Sequence, residues 1–317
     1  MTLSVVIGLS AVIVAIRDGE AVVLTVRPDQ AAGLPFGPFA PEQDRTFELA
    51  LRAFVSSQTG FELGYVEQLY TFGDLGRDAP RAEVGAGRAR VVSVGYLALT
   101  PSASGSLAAD TVWASWSRYF PWEDWRKGRP ELIDEGIAPA LMAWAGKDVG
   151  RVARARLAFA LDGAPWNEER VLERYELLYE AGLAPEAARD AARADGRDPP
   201  EPAAISAALG DPMISDHRRI LATGLGRLRG KLKYRPVVFE LMPAEFTLSA
   251  LQRTVEAIAG IPLHKQNFRR VVERTELVEG LGRMDADTGG RPAELFRYRR
   301  EALQARPAPG LSLPGRG

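Results

Sequence analysis

The sequence of 317 residues contains no cysteine and only two histidines, and its formal net charge is -1. The absence of cysteine excludes disulfide bonds and thiolate metal sites, and it is consistent with the reducing cytoplasm, where we expect the protein to reside. The near-zero net charge argues neither for nor against binding to nucleic acid, so the distribution of the charges must decide. The length suggests roughly two domains.

No hydrophobic run indicates a membrane span. The apolar stretch from Leu3 to Ile16 is too short to cross a bilayer, and neither a basic segment before it nor a small-residue cleavage site after it indicates a signal peptide. We interpret it as a buried strand that turns at residues 17–20 into a second strand, Ala21 to Val26. The sequence therefore predicts a soluble protein without membrane association.

Carboxylates are missing from the segment 49–61. Apolar residues at helical spacing predict a helix from Asp44 to Gln58, and Gly60 suits the left-handed residue that ends it. Strands rich in Tyr, Phe and Val are predicted from Tyr65 to Phe72 and from Arg90 to Leu99. Together these elements predict an α+β fold.

The helix and turn that end at Gly60 resemble a Nudix box, a motif with several glutamates on one helix. When the two are aligned on Gly60, the three helix glutamates of the motif fall on Phe54, Ser57 and Gln58. The glycine, the first glutamate and the arginine of the motif fall on Phe39, Arg45 and Ala53. A Nudix hydrolase needs several carboxylates to hold magnesium against a diphosphate. The resemblance therefore implies a Nudix scaffold without hydrolysis and without a metal site, which suits a sensor.

Four of the six tryptophans lie in the segment from Trp113 to Pro130. Two of them, Trp122 and Trp125, could stack on a base, but aromatic residues this close together are more often anchors of a core or an interface. His217 could contact a ligand or respond to pH. Because it lies beside Asp216 at the start of a helix, we interpret it as structural.

The middle of the chain is helical by pattern. Helices are predicted at 151–161, 168–181 and 185–194, before a proline-rich break at 198–202. We interpret 146–212 as a helical insertion or lid. A further helix, Asp216 to Leu232, resumes the first domain and carries an apolar face.

The C-terminal region has the pattern of a winged helix-turn-helix. Thr247 is a good N-cap for a helix that Gly260 ends, and a second helix is predicted from Leu263 to Arg274. A hairpin with glycine-rich turns follows between 277 and 298. The second helix fits the major groove of DNA, where Arg, Lys, Asn and Gln read base edges.

We therefore name candidate DNA-binding residues on this module. Those on the outer face of the second helix are His264, Lys265, Gln266, Asn267, Arg269 and Arg270. On the wing, Arg283 and Arg291 could contact phosphate. The alternative, a solvated face of an ordinary helical subdomain, is favoured for any single residue, but the ordered set favours DNA.

Across residues 3–300 the chain resembles the Nudix-related transcriptional regulators of NAD metabolism, specifically their longer bacterial group. The matching segments, in chain order, are 70–74, 77–78, 93–96, 119–125, 216–221, 246–248, 267–270 and 290–293. The resemblance implies an N-terminal Nudix-like α/β/α sandwich and a C-terminal winged helix, and the helical insertion 146–212 departs from the shorter family members. Together with the helical pattern and the Gly- and Pro-rich tail, it predicts the divisions 1–145, 146–212, 213–235 (a helix that completes the first domain), 236–300 and a disordered tail, 301–317.

The resemblance also implies a function. Family members are dimeric repressors that bind palindromic operators in double-stranded DNA before genes of NAD biosynthesis or salvage. They respond to an effector such as ADP-ribose, NAD or a related adenine nucleotide such as ATP, and no other cofactor is implied. The sequence leaves open whether the effector weakens or strengthens DNA binding.

Candidate ligand-binding residues border the expected cleft. Arginine side chains could hold a diphosphate bidentately, while Tyr70 or Phe72 stacks on adenine. The charged candidates around the strand-loop-strand are Arg77, Asp78, Arg88 and Arg90. A surface hairpin with charged residues on its wet side explains them equally well.

Two rival functions remain. One is an active nucleotide diphosphate hydrolase with a displaced metal site, against which the missing glutamates argue. The other is a nucleotide-binding adaptor whose C-terminal module binds protein, because winged helices sometimes do so. This rival predicts no salt-sensitive binding to duplex DNA.

Overall fold

The computed structural model of the chain describes residues 5–27, 32–74, 77, 90–103, 107–285 and 292–301. The strands of its larger sheet are β1 Val5–Arg17, β2 Glu20–Val26, β3 Phe36–Pro38, β4 Tyr65–Phe72, β5 Arg90–Leu99 and β6 Thr111–Ser115. Their order is β4-β5-β1-β2-β6, and β3 pairs with β1. Strand β1 is parallel to β5 and antiparallel to β2, so the sheet is mixed.

Strand β1 organises the core because its side chains alternate between the two faces of the sheet. Leu9 and Ile13 pack with helix α1, Phe47–Thr59, whereas Val12 and Val14 belong to the cluster on the opposite face. At its end, Asp18 and Gly19 have φ angles of 52° and 76°. Two positive φ values suit a two-residue hairpin turn, which confirms the predicted turn.

The opposite face of the sheet carries the helix His217–Tyr234, and other helices from the second half of the chain form a further layer with it. Their bounds are α2 Ala138–Ala145, α3 Val149–Phe159, α4 Val171–Glu180, α5 Pro185–Ala194, α6 Ala204–Ala208 and α7 His217–Tyr234, with a π-helical turn at Ile133–Ile137 before α2. Helix α7 lies directly on the sheet, where a Cβ at Gly224 would come within 3.0 Å of Val12. Its predicted apolar face, including Ile220 and Leu228, is buried.

The predicted α/β/α sandwich is therefore confirmed, with α1 on one face and α7 and the insertion on the other. Strands β3 and β6 were not predicted. Strand β3 lies between the predicted strand that ends at Val26 and the predicted helix that begins at Asp44, and β6 leads into the tryptophan-rich segment. Helix α2 also lies before the expected start of the insertion at residue 146.

The C-terminal region forms the predicted winged helix. Its elements are a 3-10 turn Val237–Leu241, β7 Glu245–Thr247, α8 Leu248–Ala259, α9 Lys265–Thr275, β8 Val278–Asp285 and β9 Ala293–Tyr298, with strand order β7-β9-β8. The Thr247 hydroxyl accepts a hydrogen bond from the Ala250 backbone N–H at 3.1 Å, so it caps α8 as predicted. Gly260 ends α8 with a φ of 69°. No helix in the described ranges is long and apolar enough to cross a membrane.

Candidate effector cleft and nucleic-acid interface

Side chains at two of the three positions aligned with the helix glutamates of the Nudix box connect α1 with strand β3. Phe54 packs over Gly37, where a Cβ would come within 3.1 Å of its ring. The Gln58 side chain accepts a hydrogen bond from the Phe36 N–H at 3.3 Å and donates one to the Phe36 carbonyl at 2.6 Å. The exposed Ser57 hydroxyl donates to the Phe54 carbonyl at 3.3 Å. Phe54 and Gln58 therefore fasten the helix to β3, and none of the three side chains offers a charged ligand to a metal.

The carboxylates that remain near the box have other partners. Asp44 accepts a hydrogen bond from the Ala40 N–H at 2.7 Å, and Glu48 pairs with Arg52 at 2.9 Å. Among the residues that the structure describes, no group of three or more His, Asp or Glu is placed to hold a metal ion.

Two of the candidate ligand residues lie on strand β4. Tyr70 is 61% exposed, whereas Phe72 is 3% exposed and belongs to the core beneath Arg219. Their rings meet edge to face with centroids 5.4 Å apart. Of the two rings, only that of Tyr70 has a face open to a ligand.

The charged candidates are separated. Arg90 is exposed and donates to the Gly73 carbonyl at 2.6 Å. Asp78 and Arg88 lie outside the described residues. Arg77 is 11% exposed and contacts the helical insertion.

Arg77 belongs to a group of five charged side chains, which we call the Arg77 cluster: Asp74, Arg77, Glu176, Asp216 and Arg219. The Glu176 carboxylate lies 3.0 Å from Arg77 Nη1 and 2.5 Å from Arg219 Nε. Arg219 also pairs with Asp74 at 2.5 Å and with Asp216 at 3.1 Å. The cluster joins the loop after β4, the start of α7 and helix α4.

Sequence reasoning missed Glu176 as a member of this cluster. Its partner Arg77 is 99 residues away, and the spacing of α4 alone indicates only a helix. Arg219 carried a signal, because it lies in the segment 216–221 that resembles the regulator family.

Burial sets the electrostatics of the cluster. It raises the pKa of Asp216 to about 7, although Arg77 and Arg219 act in the opposite direction. Burial alone would lower the pKa of Arg219, but the ion pairs with Asp74 and Asp216 raise it above its ordinary value. The carboxylates of Asp216 and Glu176 likewise outweigh burial and raise the pKa of Arg77, so both guanidinium groups stay charged.

His217 is structural, as the sequence indicated. Its Nδ1 atom accepts a hydrogen bond from the Leu34 N–H at 3.0 Å, and its ring lies edge to face with Phe36 at 5.0 Å between centroids. Burial, with a smaller effect from Arg189, lowers the pKa of His217 to about 3. The imidazole is thus neutral and packs strand β3 against α7.

The two tryptophans are also structural. Trp122 and Trp125 are buried, and Trp125 stacks on Trp166 with centroids 4.2 Å apart. They anchor the segment after β6 to the insertion, which confirms their interpretation as core anchors.

Helix α9 presents its polar face to solvent. Five of the six candidates on or next to it are exposed, and Asn267 is half-buried: His264, Lys265, Gln266, Asn267, Arg269 and Arg270. The opposite face is held by Phe268 and Val272, which are 2% and 1% exposed. Helical spacing with two buried anchors thus directs the donors of this helix outward.

The turn before α9 is fixed by side chains of α8. Gln252 donates to the Leu263 carbonyl at 2.9 Å, and the Glu256 carboxylate accepts from the Leu263 N–H at 2.8 Å. On the wing, Arg283 is exposed and pairs with Glu245 at 2.5 Å, while Arg291 lies outside the described residues.

Comparison with known proteins finds a family that matches the C-terminal winged helix. The family described as the NrtR DNA-binding winged helix domain matches residues 238–298. The matched residues include α8, α9 and the strands β7 to β9. The chain is also 35% identical over 94 residues, 30% of its length, to the ADPR responsive transcriptional repressor NtrR of Acinetobacter baylyi, and the match spans only 37% of that protein.

Solved structures resemble the whole chain in fold. Shewanella oneidensis NrtR complexed with a 27mer DNA has a TM-score of 0.53 at 20% identity, covering 94% of this chain and 95% of that one. A MutT/nudix family protein from Enterococcus faecalis has a TM-score of 0.51 at 16% identity, covering 94% and 88%. The likeness to NrtR confirms a Nudix-like domain followed by a winged helix. Together with the NrtR domain match, it confirms the resemblance to the Nudix-related regulators.

Proposed function

We propose that the chain is a DNA-binding transcriptional repressor of NAD biosynthesis or salvage genes that senses an adenine nucleotide. The observation that carries this proposal is helix α9 of the NrtR winged helix, whose basic and amide side chains face solvent while Phe268 and Val272 hold it in place. Such a helix fits the major groove, where Arg, Lys and Asn recognise base edges and phosphates. The expected partner is a palindromic duplex bound by a homodimer.

The effector is ADP-ribose or a related nucleotide such as NAD. The exposed ring of Tyr70 supplies a stacking face, and the guanidinium groups of Arg77 and Arg219 supply donors for a diphosphate. The nucleotide is bound without hydrolysis, because Phe54 and Gln58 pack α1 where a hydrolase carries glutamates. Incubation of the protein with ADP-ribose and magnesium should release no AMP.

Regulation follows from the geometry of a dimer. Operator half-sites lie about one helical turn of DNA apart, so a small rotation of one winged helix misaligns it with its half-site. The effector needs a coupling free energy of only about 1–3 kcal/mol to change operator occupancy several-fold.

The test measures the affinity of the full chain for duplexes taken from upstream regions of NAD genes, at several salt concentrations. The double variant Arg269→Ala, Arg270→Ala should bind the duplexes more weakly. It should also reduce the slope of log affinity against log salt concentration by about 1.8, because each contact with a phosphate contributes about 0.9 to that slope. Arg274→Ala, at the far end of the same helix, is the matched control. Binding that does not depend on salt, or that the double variant leaves unchanged, would favour the protein-binding adaptor.

A further inference from the structure

Helix α4 of the insertion contributes charged side chains to two different sites. Glu176 points into the Arg77 cluster, beside the proposed effector cleft. Two residues earlier, Arg174 reaches a buried carboxylate, Glu123, on the segment after β6. One helix therefore contacts both the proposed ligand site and, as described below, the support of the winged helix.

At the first site, Glu176 occupies the place of an anion. Its carboxylate bridges Arg77 and Arg219 at 3.0 and 2.5 Å, and the Tyr179 ring lies 3.6 Å from the Arg77 guanidinium carbon. Converging guanidinium groups are a common binding site for phosphate. In addition, Arg77 Nη2 is buried and finds no hydrogen-bond partner among the described residues, and Arg77 Nε, which lies 3.6 Å from Asp216 Oδ1, makes no hydrogen bond there either.

The second site is a buried group that we call the Glu123 cluster: Glu123, Arg174 and Arg229. Arg174 donates to Glu123 at 2.5 and 2.8 Å, and Arg229 donates to it at 2.5 Å. Burial alone would raise the pKa of Glu123, but the two arginines outweigh it and hold that pKa below its usual range. The carboxyl is thus charged and depends on both partners.

The Glu123 cluster also holds the helix-turn-helix. Arg229 Nε donates to the carbonyl of Ile258, in the last turn of α8, at 2.9 Å. The Gly260 carbonyl accepts from the Trp125 N–H at 2.6 Å, and a Cβ at Gly260 would collide with the Glu123 carbonyl oxygen. The cluster therefore sets the position of the turn that leads into α9.

The two sites differ in how easily they can be opened. Glu176 is 31% exposed, and partly exposed ion pairs contribute little to stability, so an incoming anion can compete with it. Arg174 and Glu123 are fully buried, and breaking such a pair is costly. A movement of α4 at the Glu176 end is therefore transmitted through Arg174 rather than absorbed there.

We propose that Glu176 is an internal anion that occupies the phosphate site of Arg77 and Arg219 until the diphosphate of a nucleotide displaces it. Displacement moves helix α4, and the Glu123 cluster carries that movement to the turn before α9. This inference rests on the proposed function and assigns to the insertion the control of effector affinity.

The test compares Glu176→Gln with the full-length wild-type chain. Removing the internal anion should strengthen binding of ADP-ribose, measured by calorimetry, by about tenfold, within the usual range of coupling between sites. Without nucleotide, the variant should also shift operator affinity in the direction in which ADP-ribose shifts it for the wild type. Glu180→Gln is the matched control, because Glu180 lies on the same helix but pairs with Arg154 at 2.5 Å.

If Glu176 has only a structural role, Glu176→Gln and Glu180→Gln will bind the nucleotide with equal affinity, and the inference is overturned. Failure of the proposed function has a different signature, since the wild type would then bind no adenine nucleotide. In that case, inorganic pyrophosphate serves as the probe of the same arginines. Tighter binding of pyrophosphate by Glu176→Gln supports the internal anion, and equal binding overturns it.

Discussion

At the scale of single residues, Glu123 links the insertion and α7 through one buried carboxylate. Its carboxylate pairs with Arg174 of the insertion and Arg229 of α7, and Trp122 Nε1 donates to it at 3.0 Å. Replacing it with alanine leaves two buried guanidinium groups without their counter-ion.

We expect Glu123→Ala to lower the free energy of unfolding by about 3–5 kcal/mol, the usual cost of breaking a buried ion pair. Denaturant titration followed by circular dichroism measures it. The control is Asp134→Ala, which breaks an exposed pair with Arg129 and should cost less than about 1 kcal/mol. Equal effects of the two substitutions would show that the cluster adds nothing beyond a surface pair.

His217 gives the stability a dependence on pH. Its pKa falls from 6.5 to about 3 on folding, so the unfolded chain takes up a proton first as the pH is lowered. The contribution of the neutral His217 to the free energy of unfolding is complete above about pH 6.5. Below that pH it is lost, by up to about 1.4 kcal/mol per pH unit, until about pH 3.

His217→Asn keeps an acceptor near the Leu34 N–H but does not titrate, so the free energy of unfolding should fall less steeply between pH 6 and about pH 4. His264→Asn, at the exposed histidine, is the matched control. Denaturant unfolding at a series of pH values measures the slope of the free energy of unfolding against pH. Identical slopes for His217→Asn and the wild type would show that His217 does not cause the pH dependence.

Individual roles could be predicted from sequence where the partner is close along the chain. Thr247 as an N-cap follows from its place directly before the predicted helix, and this prediction is confirmed. The pairing of Arg77 with Glu176 could not be predicted, because no local pattern relates residues 99 positions apart.

At the scale of elements, helix α1 is fastened to strand β3 through the side chain of Gln58. Gln58 both accepts from and donates to the backbone of Phe36, so it supplies the edge pairing that β3 would otherwise lack. A glutamate at this position cannot donate and places its charge against a carbonyl oxygen.

Gln58→Glu should therefore lower the free energy of unfolding by about 1–3 kcal/mol at neutral pH, the cost of an unsatisfied buried group. Ser57→Glu, one residue earlier and exposed, should change it by less than about 0.5 kcal/mol. Thermal or denaturant unfolding compares them. If Gln58→Glu is as stable as the wild type, its hydrogen bonds to β3 do not fasten the helix.

The elements that the sequence predicted are those with strong periodicity. Helix α7 and strands β4 and β5 have apolar patterns long enough to reveal them. Strand β3 has three residues and exists only because it pairs with β1, which is a tertiary contact that no local pattern contains. Strand β6 was not recognised in the sequence because it runs into the tryptophan-rich segment, whose aromatic residues indicated a core and not a particular strand.

At the scale of the whole molecule, the sequence predicted the fold class and the order of the domains, because the box-like helix and the winged helix each have a local signature. The packing of the insertion had no such signature. Helix α4 lies between the Arg77 cluster and the Glu123 cluster, so the insertion is part of the connection between the two domains.

A repressor that senses a nucleotide must change its affinity for DNA when the nucleotide binds. The most direct measurement is the affinity of the full chain for duplexes from upstream regions of NAD genes, by fluorescence anisotropy, with and without ADP-ribose. We expect salt-sensitive binding whose dissociation constant changes by about fivefold or more when the nucleotide is added. Binding that ADP-ribose and NAD leave unchanged, or no binding at low salt, would contradict the account.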